Sequence, residues 1–275
     1  MIVERAYAKA NLVLHVGPPR EDGLHPLCSL FASLDLADEV TVEESRRDEV
    51  HCPGVEGENL VTRAVAAIRQ AAPGPIPRLR VHVEKRVPVA AGLGGGSADA
   101  AAVLRAANEL AGRPLGDGEL SSLAAGLGSD VPSQVTPVHA IVTGVGDEVE
   151  SVDLPDAALA LVPAADGLAA AEVYAELDRL EAWRPTFDRQ RLLELAALPL
   201  PQLAAAVEND LQRPVLSLRP ELERTLAELL ETGALAAALS GSGPTAFGLF
   251  ASEDEAQIAA AGLPGAIVTR IRRIA

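Results

Sequence analysis

Residues 83–110 read VEKRVPVAAGLGGGSADAAAVLRAANEL and decide how the N-terminal half of the chain folds. Apolar residues alternate with charged ones over 79–83, which predicts a half-buried strand. After the glycine run, apolar residues recur at three- and four-residue spacing over 103–110, which predicts a helix that ends before Gly112 and Pro114. A strand, a glycine loop and a helix N-terminus therefore follow one another, an order that is typical of polyphosphate binding.

The glycine loop has the residue types that such binding requires. Gly92, Gly94, Gly95 and Gly96 have no Cβ, so their backbone can adopt positive φ and bring N–H groups close to phosphate oxygens. Ser97 adds a hydroxyl where the helix begins, and there the unpaired N–H groups and the helix dipole favour an anion. We therefore expect a phosphate chain to bind at the start of this helix.

The loop differs from the two best-known phosphate loops. A Walker A loop needs a Gly-Lys pair, and the sequence contains none. The dinucleotide pattern G-x-G-x-x-G fails because Ser97 stands where its third glycine belongs, and neither Glu109 nor Asp117 suits the acidic position of a Rossmann unit. The alternative is a plain turn between strand and helix, although four glycines in five residues exceed what a turn needs.

Composition bounds the class of protein. A chain of 275 residues predicts two domains, and its net charge of −16 argues against nucleic acid or an anionic membrane as a partner. No apolar run reaches the roughly 20 residues that span a bilayer, and the N-terminus lacks a signal-peptide pattern, so we expect a cytoplasmic location. The two cysteines predict reduced thiols, and the five histidines show no zinc-ligand spacing.

Lysine is unusually rare in this sequence. Of 23 basic residues only Lys9 and Lys85 are lysine, and the other 21 are arginine. A compact ammonium differs from a guanidinium in hydration and shape, so a chain that otherwise uses arginine has a reason to keep lysine. We predict that Lys9 is functional. Lys85 ends a predicted strand, where we expect a solvated charge.

The order of predicted elements gives an α+β fold with two domains. The boundary is placed in residues 151–155, giving an N-terminal domain at 1–152 with mixed strands and helices and a C-terminal domain at 153–275. The second domain has the strand and helix order β-α-β-β-α-β of the ferredoxin-like split unit. The main predicted strands cover 6–16, 40–42, 79–83, 139–149, 158–162, 236–239, 245–251 and 267–271. The main predicted helices cover 59–71, 119–126, 169–182, 188–197, 202–208, 220–231 and 253–261.

Eight short segments occur together in a fixed order. They are AKANLVLHV (8–16), REDGLHPL (20–27), ENL (58–60), PVAAGLGGGSADAA (88–101), LGSDVP (127–132), GVGDEVE (144–150), END (208–210) and SGSGPT (240–245). One such segment is weak evidence, but eight in order are specific. The set resembles the GHMP kinases, a family named for galactokinase, homoserine kinase, mevalonate kinase and phosphomevalonate kinase.

The resemblance implies an ATP-dependent transfer of a phosphoryl group. The branch that this chain resembles most phosphorylates a hydroxyl in the methylerythritol part of a cytidyl diphosphate ester, in non-mevalonate isoprenoid precursor biosynthesis. Mg²⁺ is expected with ATP, carried mainly by phosphates and water and not by a metal site built from protein ligands. The implied ATP-binding residues are Pro88, Val89, Ala90, Ala91, Gly92, Leu93, Gly94, Gly95, Gly96, Ser97 and Ala98, with Ser240, Gly241, Ser242 and Gly243 as possible members. Alone, the last four residues equally suit a hairpin turn.

Two residues match the catalytic positions of the family. The resemblance implies that Asp130 accepts the proton of the attacking hydroxyl and that Lys9 stabilises the charge that builds on the transferred group. Both roles suit a reaction that depends on positioning and charge neutralisation. The alternative for Asp130 is an ordinary turn or N-cap aspartate in the sequence GSDVP.

Substrate recognition is implied at three further residues. Asn11, His25 and Tyr174 match positions at which the family contacts its substrate, and His25 suits a hydrogen bond to a cytosine edge. Family enzymes usually carry an aromatic residue before this histidine, where the present chain has Leu24. Ala170 likewise replaces a hydroxyl residue that is often found near the tyrosine.

Two other interpretations remain open beside this kinase. A sister kinase of the same fold can act on another small alcohol, which the changes at Leu24 and Ala170 permit. A non-catalytic nucleotide-binding relative is the other alternative, and the presence of both Lys9 and Asp130 argues against it. We expect small-molecule partners only, and a monomer or homodimer.

Overall fold

The computed structural model describes residues 1–55 and 59–274 and divides the chain into two compact units, neither of which is continuous in sequence. The first unit comprises Met1–Ala8, Leu36–Val89 and Gly94–Pro137, and the second comprises Lys9–Asp35, Ala90–Leu93 and Val138–Ala275. The predicted domain boundary between residues 152 and 153 stays a prediction. Glu58, part of the ENL segment, lies outside the described residues.

Two long strands contribute residues to both units. Strand β1 is Ile2–Val16 and strand β2 is Leu27–Ser45, so β2 is far longer than the predicted strand at 40–42. Its first eight residues are all buried. A strand that is buried on both faces lacks the alternation of apolar and polar residues. The hydrophobic pattern therefore predicted only residues 40–42, near the C-terminal end of β2.

The first unit packs helices on one face of a sheet. Besides parts of β1 and β2, its elements are β3 (Glu49–His51), α1 (Leu60–Ala71), β4 (Arg78–Glu84), α2 (Gly95–Leu110), α3 (Asp117–Ala125) and α4 (Pro132–Val135). Strand β4 pairs antiparallel with β2 and parallel with β3, and its predicted alternation of buried and exposed residues is confirmed. Apolar residues of α1 and α2 join those of β2 and β4 in one core.

The second unit contains the predicted ferredoxin-like order. Its elements are β5 (Ala140–Thr143), β6 (Glu148–Ser151), β7 (Ala158–Val162), α5 (Ala170–Arg179), α6 (Arg189–Ala196), α7 (Leu200–Ala204), β8 (Glu208–Asn209), α8 (Gln212–Leu218), α9 (Leu222–Glu231), β9 (Ala236–Leu239), β10 (Ala246–Phe250), α10 (Glu253–Ala260) and β11 (Ile267–Arg270). Its four-stranded sheet has the order β11-β7-β10-β9, and every neighbouring pair is antiparallel. The α+β fold class is confirmed.

The segment around β8 departs from the prediction. The helix expected at 202–208 ends at Ala204, and Glu208 and Asn209 instead pair in parallel with Val13 and Leu14 of β1. Helix α8, which contains Pro214, was not among the predicted helices. The proline lies in the first turn of α8, where no intrahelical N–H donor is lost.

Among residues 1–55 and 59–274, none of the helices combines the length and the apolar character that crossing a membrane requires.

Candidate active site

The first unit presents the glycine-rich start of α2. Gly94 precedes the helix with φ of +70°, the left-handed conformation that glycine adopts without strain. Gly96 is exposed, and a Cβ built on it would meet nothing closer than the Leu60 side chain at 3.9 Å. The fold itself therefore does not require glycine at position 96. N–H groups in the first turn of a helix can bind phosphate oxygens, which fits the role predicted for Gly95 to Ser97, whereas the Ala98 N–H donates to the Gly94 carbonyl at 2.9 Å.

In the second unit, the two predicted glycine segments touch. A Cβ on Gly92 would lie 2.1 Å from the carbonyl oxygen of Ser240 and 2.8 Å from that of Gly243, so only glycine fits. The Ser240 hydroxyl donates a hydrogen bond to the Gly92 carbonyl at 3.0 Å. Residues 240–243 do form the turn between β9 and β10, and this turn also supports residues 90–93.

Lys9 is buried in β1 of the same unit, with 4% of its surface exposed. Its Nζ donates to Asn11 Oδ1 at 2.7 Å and lies 4.9 Å from the centroid of the Phe31 ring. The backbone N–H of Lys9 donates to the Leu93 carbonyl at 2.9 Å. The structure thus places the predicted catalytic lysine next to the second-unit part of the glycine loop.

Asn11 connects this lysine to its surroundings. Its Nδ2 donates to Ser29 Oγ at 2.9 Å, and its backbone N–H donates to Ser240 Oγ at 3.4 Å. The Ser29 hydroxyl donates in turn to the Val13 carbonyl at 2.6 Å. Sequence reasoning missed Ser29 and Phe31, because no motif or pattern marks two inward-facing residues of a doubly buried strand.

Asp130 lies in the first unit, in the turn that leads into α4. It is half-buried, and its carbonyl accepts a hydrogen bond from Ser133 Oγ at 2.9 Å. This geometry is that of the GSDVP turn expected from the sequence. The assignment of Asp130 and Lys9 to one reaction stays a prediction.

Two of the predicted substrate residues meet in the second unit. The rings of His25 and Tyr174 lie 5.1 Å apart between centroids and are inclined by 40°. His25 Nδ1 donates to the Gly17 carbonyl at 2.8 Å, and its Nε2 lies 3.5 Å from Asp178 Oδ2. Leu24 is 52% exposed, and Ala170 is the first residue of α5. The hydrogen bond from Nδ1 to Gly17 therefore fixes the His25 ring, and its Nε2 faces the Asp178 carboxylate.

The prediction for Lys85 is wrong. Its side chain is only 12% exposed, and its Nζ bonds Asp38 Oδ2 at 2.5 Å and Asp99 Oδ2 at 2.8 Å. Asp38 also accepts the backbone N–H groups of Arg86 and Val87. Lys85 therefore closes a buried cluster, here called the Lys85 cluster, that ties β4 to β2 and to the first turns of α2.

Two carboxylates share one ammonium in the Lys85 cluster, and Asp99 is the less well satisfied. Within the described part of the chain, its Oδ1 is buried without a hydrogen-bond partner. Burial raises the pKa of Asp99 to about 7, against the lowering effect of Lys85. Burial acts to lower the pKa of Lys85, but Asp99 and Asp38 together outweigh it and raise the value.

The described residues offer no group of three or more histidine, cysteine or acidic side chains arranged to hold a metal ion.

Comparison with known proteins identifies the class. Residues 59–138 match the family model of the GHMP kinases N terminal domain, and residues 190–267 match that of the GHMP kinases C terminal domain. The chain belongs to the GHMP kinase family, whose members use ATP as the phosphoryl donor.

The similar proteins include members with one particular activity. The 4-diphosphocytidyl-2-C-methyl-D-erythritol kinase of Anaeromyxobacter dehalogenans strain 2CP-C is 41% identical, over 96% of this chain and 85% of the relative. The kinase of the same name from Nocardia farcinica strain IFM 10152 is 41% identical, over 100% and 93%. A crystal structure of 4-(cytidine 5'-diphospho)-2C-methyl-D-erythritol kinase matches with a TM-score of 0.82 and 34% identity, covering 98% of each chain. A crystal structure of L. major mevalonate kinase, at 16% identity and a TM-score of 0.72 over 100% of this chain and 97% of the other, shares the fold.

Proposed function

We propose that this chain transfers the γ-phosphoryl group of ATP to a hydroxyl of 4-diphosphocytidyl-2-C-methyl-D-erythritol, giving the 2-phosphate, a step in non-mevalonate isoprenoid precursor biosynthesis. The observation that carries the proposal is the identity of about 41%, over nearly the whole chain, to relatives named for this kinase activity. The buried Lys9 and the bare glycine loop suit the chemistry that this name requires.

The phosphates of ATP are assigned to the start of α2 and to the glycine loop before it. The first N–H groups of a helix have no intrahelical acceptor, so they can bind phosphate oxygens without breaking other bonds. Mg²⁺ would be carried mainly by the phosphates and water, and it would neutralise part of their charge. The net charge of −16 makes such local neutralisation necessary, because the protein as a whole repels anions.

Lys9 and Asp130 receive the catalytic roles. The Asn11 amide oxygen and the Phe31 ring hold the Lys9 ammonium in a defined position, where its charge can stabilise charge that develops on the transferred phosphoryl group. Asp130 accepts the proton of the attacking hydroxyl. The remaining catalytic effect comes from holding the two substrates in line.

The cytidine group is assigned to the neighbourhood of His25 and Tyr174. The Tyr174 ring offers a stacking face, and each aromatic face is worth about 1–3 kcal/mol to a bound base. Leu24 supplies no second aromatic face, and this observation favours the second candidate, a sister kinase that phosphorylates another small alcohol. Whichever alcohol is used, we expect a cytoplasmic enzyme, monomeric or homodimeric, without nucleic-acid or membrane partners.

A substrate panel tests the proposal. Purified protein is incubated with labelled ATP, Mg²⁺ and several alcohols, among them the cytidyl diphosphate ester and methylerythritol phosphate without cytidine. Phosphorylation of the cytidyl ester is expected. Phosphorylation of only an alcohol that lacks cytidine would establish the sister kinase instead, and nucleotide binding without transfer would exclude both.

Asp130→Asn tests the catalytic assignment. Removal of a general base is expected to lower turnover by about 10²-fold or more, with little change in ATP affinity. Asp117→Asn, at the exposed first residue of α3, is the matched control and should retain the wild-type rate. A rate unaffected by Asp130→Asn would remove this residue from its role.

A further inference from the structure

The END segment at 208–210 has no part in the function proposed so far, yet its central residue is buried. Asn209 is 9% exposed, and its Nδ2 donates to the carbonyls of Leu239 and Gly241, both at 2.8 Å. Its Oδ1 accepts the backbone N–H of Leu211 at 2.9 Å. The amide therefore uses both N–H donors on two carbonyls and its oxygen on one donor.

The two carbonyls lie on either side of Ser240. Ser240 is the residue that bonds the Gly92 carbonyl and receives the Asn11 backbone N–H. A Cβ on Gly241 would lie 3.1 Å from Lys9 Nζ and 3.2 Å from Asn11 Oδ1. The backbone that Asn209 holds is thus the surface against which Lys9 and the glycine loop rest.

Neighbouring residues fix Asn209 itself. Glu208 bonds His15 at 2.7 Å and Arg184 at 2.9 Å, and Asp210 accepts the backbone N–H of Val16 at 3.0 Å. These bonds keep β8 in parallel register beside β1. Strand β1 also carries Lys9. The same strand therefore positions both the lysine and, through β8, the Asn209 side chain that holds the turn at 239–241.

We propose that Asn209 is a positioning residue for phosphoryl transfer, which acts by fixing the backbone at 239–241 so that Lys9 and Gly92 keep their places. This inference rests on the proposed kinase function for its effect on rate. Only an amide suits the position, because it offers two donors to the carbonyls and one acceptor to Leu211. A displacement of about 1 Å in a catalytic group can lower a rate by about 10²-fold, so a loosened turn is expected to affect kcat.

A matched pair of variants separates positioning from stability. Asn209→Leu keeps the approximate shape but removes both donors. Asn108→Leu does the same at another buried amide of the first unit, which is 5% exposed and bonds the Leu115 carbonyl at 2.9 Å and the Leu115 N–H at 3.0 Å. Both variants should be less stable, since each removes a side-chain partner from backbone C=O and N–H groups.

The rate is measured per nucleotide-binding site, with sites counted by calorimetric titration with ATP. Asn209→Leu is expected to lower kcat by about 10²-fold and to change the KM of the alcohol little, whereas Asn108→Leu keeps kcat per site near the wild-type value. Combining Asn209→Leu with Ser240→Ala should cost less than the sum of the single effects, because both act on one turn. Equal effects on kcat for the two leucine variants would overturn the proposal.

A second readout does not depend on activity. The chain has two lysines, so labelling lysine with ¹³C at Cε gives one side-chain resonance for Lys9 and one for Lys85, assigned with Lys9→Met. Asn209→Leu should shift the Lys9 resonance and leave that of Lys85 in place, and Asn108→Leu should leave the Lys9 resonance in place. An unmoved Lys9 resonance in Asn209→Leu would refute the positioning role. A shifted resonance in a protein that phosphorylates none of the alcohols would refute the proposed function and leave the positioning of Lys9 intact.

Discussion

The two lysines of the chain are both largely shielded from solvent, and they differ in what surrounds their charge. The Lys85 ammonium contacts two carboxylates in the first unit, Asp38 and Asp99. The Lys9 ammonium, in the second unit, contacts the Asn11 amide oxygen and the face of the Phe31 ring. Lys85 thus holds three segments of backbone together, and Lys9 is presented beside a glycine loop. Both residues stand out because lysine is rare in this sequence, but only their partners separate the ion-paired ammonium of Lys85 from that of Lys9, which we propose is catalytic.

The largest expected effect tests the structural lysine. Lys85→Met leaves two buried carboxylates without their cation, so the free energy of unfolding should fall by about 3–5 kcal/mol. Urea denaturation followed by circular dichroism measures this change. Adding Asp99→Asn to Lys85→Met should restore part of the loss, because one of the two uncompensated carboxylates is removed. A loss below about 1 kcal/mol would show that the Lys85 cluster behaves like a surface ion pair.

Replacement of Lys9, the proposed catalytic lysine, should instead affect the reaction rate. Lys9→Met is expected to lower kcat by about 10²–10³-fold, the range found when one group that stabilises transition-state charge is removed. Lys9→Arg keeps the positive charge but should not restore the rate, because a planar guanidinium differs from a compact ammonium in shape and hydration. Steady-state kinetics on folded protein at equal site concentration checks both variants. If Lys9→Arg has the wild-type rate, charge alone suffices and the compact ammonium is not required.

The smallest effect concerns the pH dependence of stability. Burial raises the pKa of Asp99 from 3.8 to about 7, so between these pH values the folded state keeps a proton that the unfolded state has released. This group therefore makes the protein less stable as pH rises from about 4 to about 7. Asp99→Asn cannot titrate and should flatten this part of the profile. The urea midpoints of the wild-type protein and of Asp99→Asn are measured at pH 5 and pH 8. An equal change of midpoint with pH in both proteins would contradict the raised pKa of Asp99.

Local patterns predicted much of the fold and part of the candidate site. The strand, glycine loop and helix over 83–110 could be predicted because each has its own periodicity or residue type. Composition and family motifs predicted a functional role for Lys9, and that role stays a prediction. The ferredoxin-like order of the second unit followed from the sequence of its strands and helices.

What the sequence could not reveal depends on contacts between distant residues. Asp38 lies 47 residues before Lys85, so no local pattern distinguishes a paired lysine from a solvated one. Asn209 donates to backbone carbonyls that are 30 and 32 residues away. Every residue has a backbone carbonyl, so the sequence does not indicate which ones the side chain will bind. The first half of β2 lacks alternation because both of its faces are covered, which also hid Ser29 and Phe31.

The close approach of Gly92 to Ser240 has a consequence for how this chain can change over time. With 2.1 Å between a Cβ at position 92 and the Ser240 carbonyl oxygen, any side chain there would force the later turn to move. Two segments almost 150 residues apart in sequence therefore constrain each other in evolution. A substitution of Gly92 would be tolerated only together with changes that move the turn at 240–243.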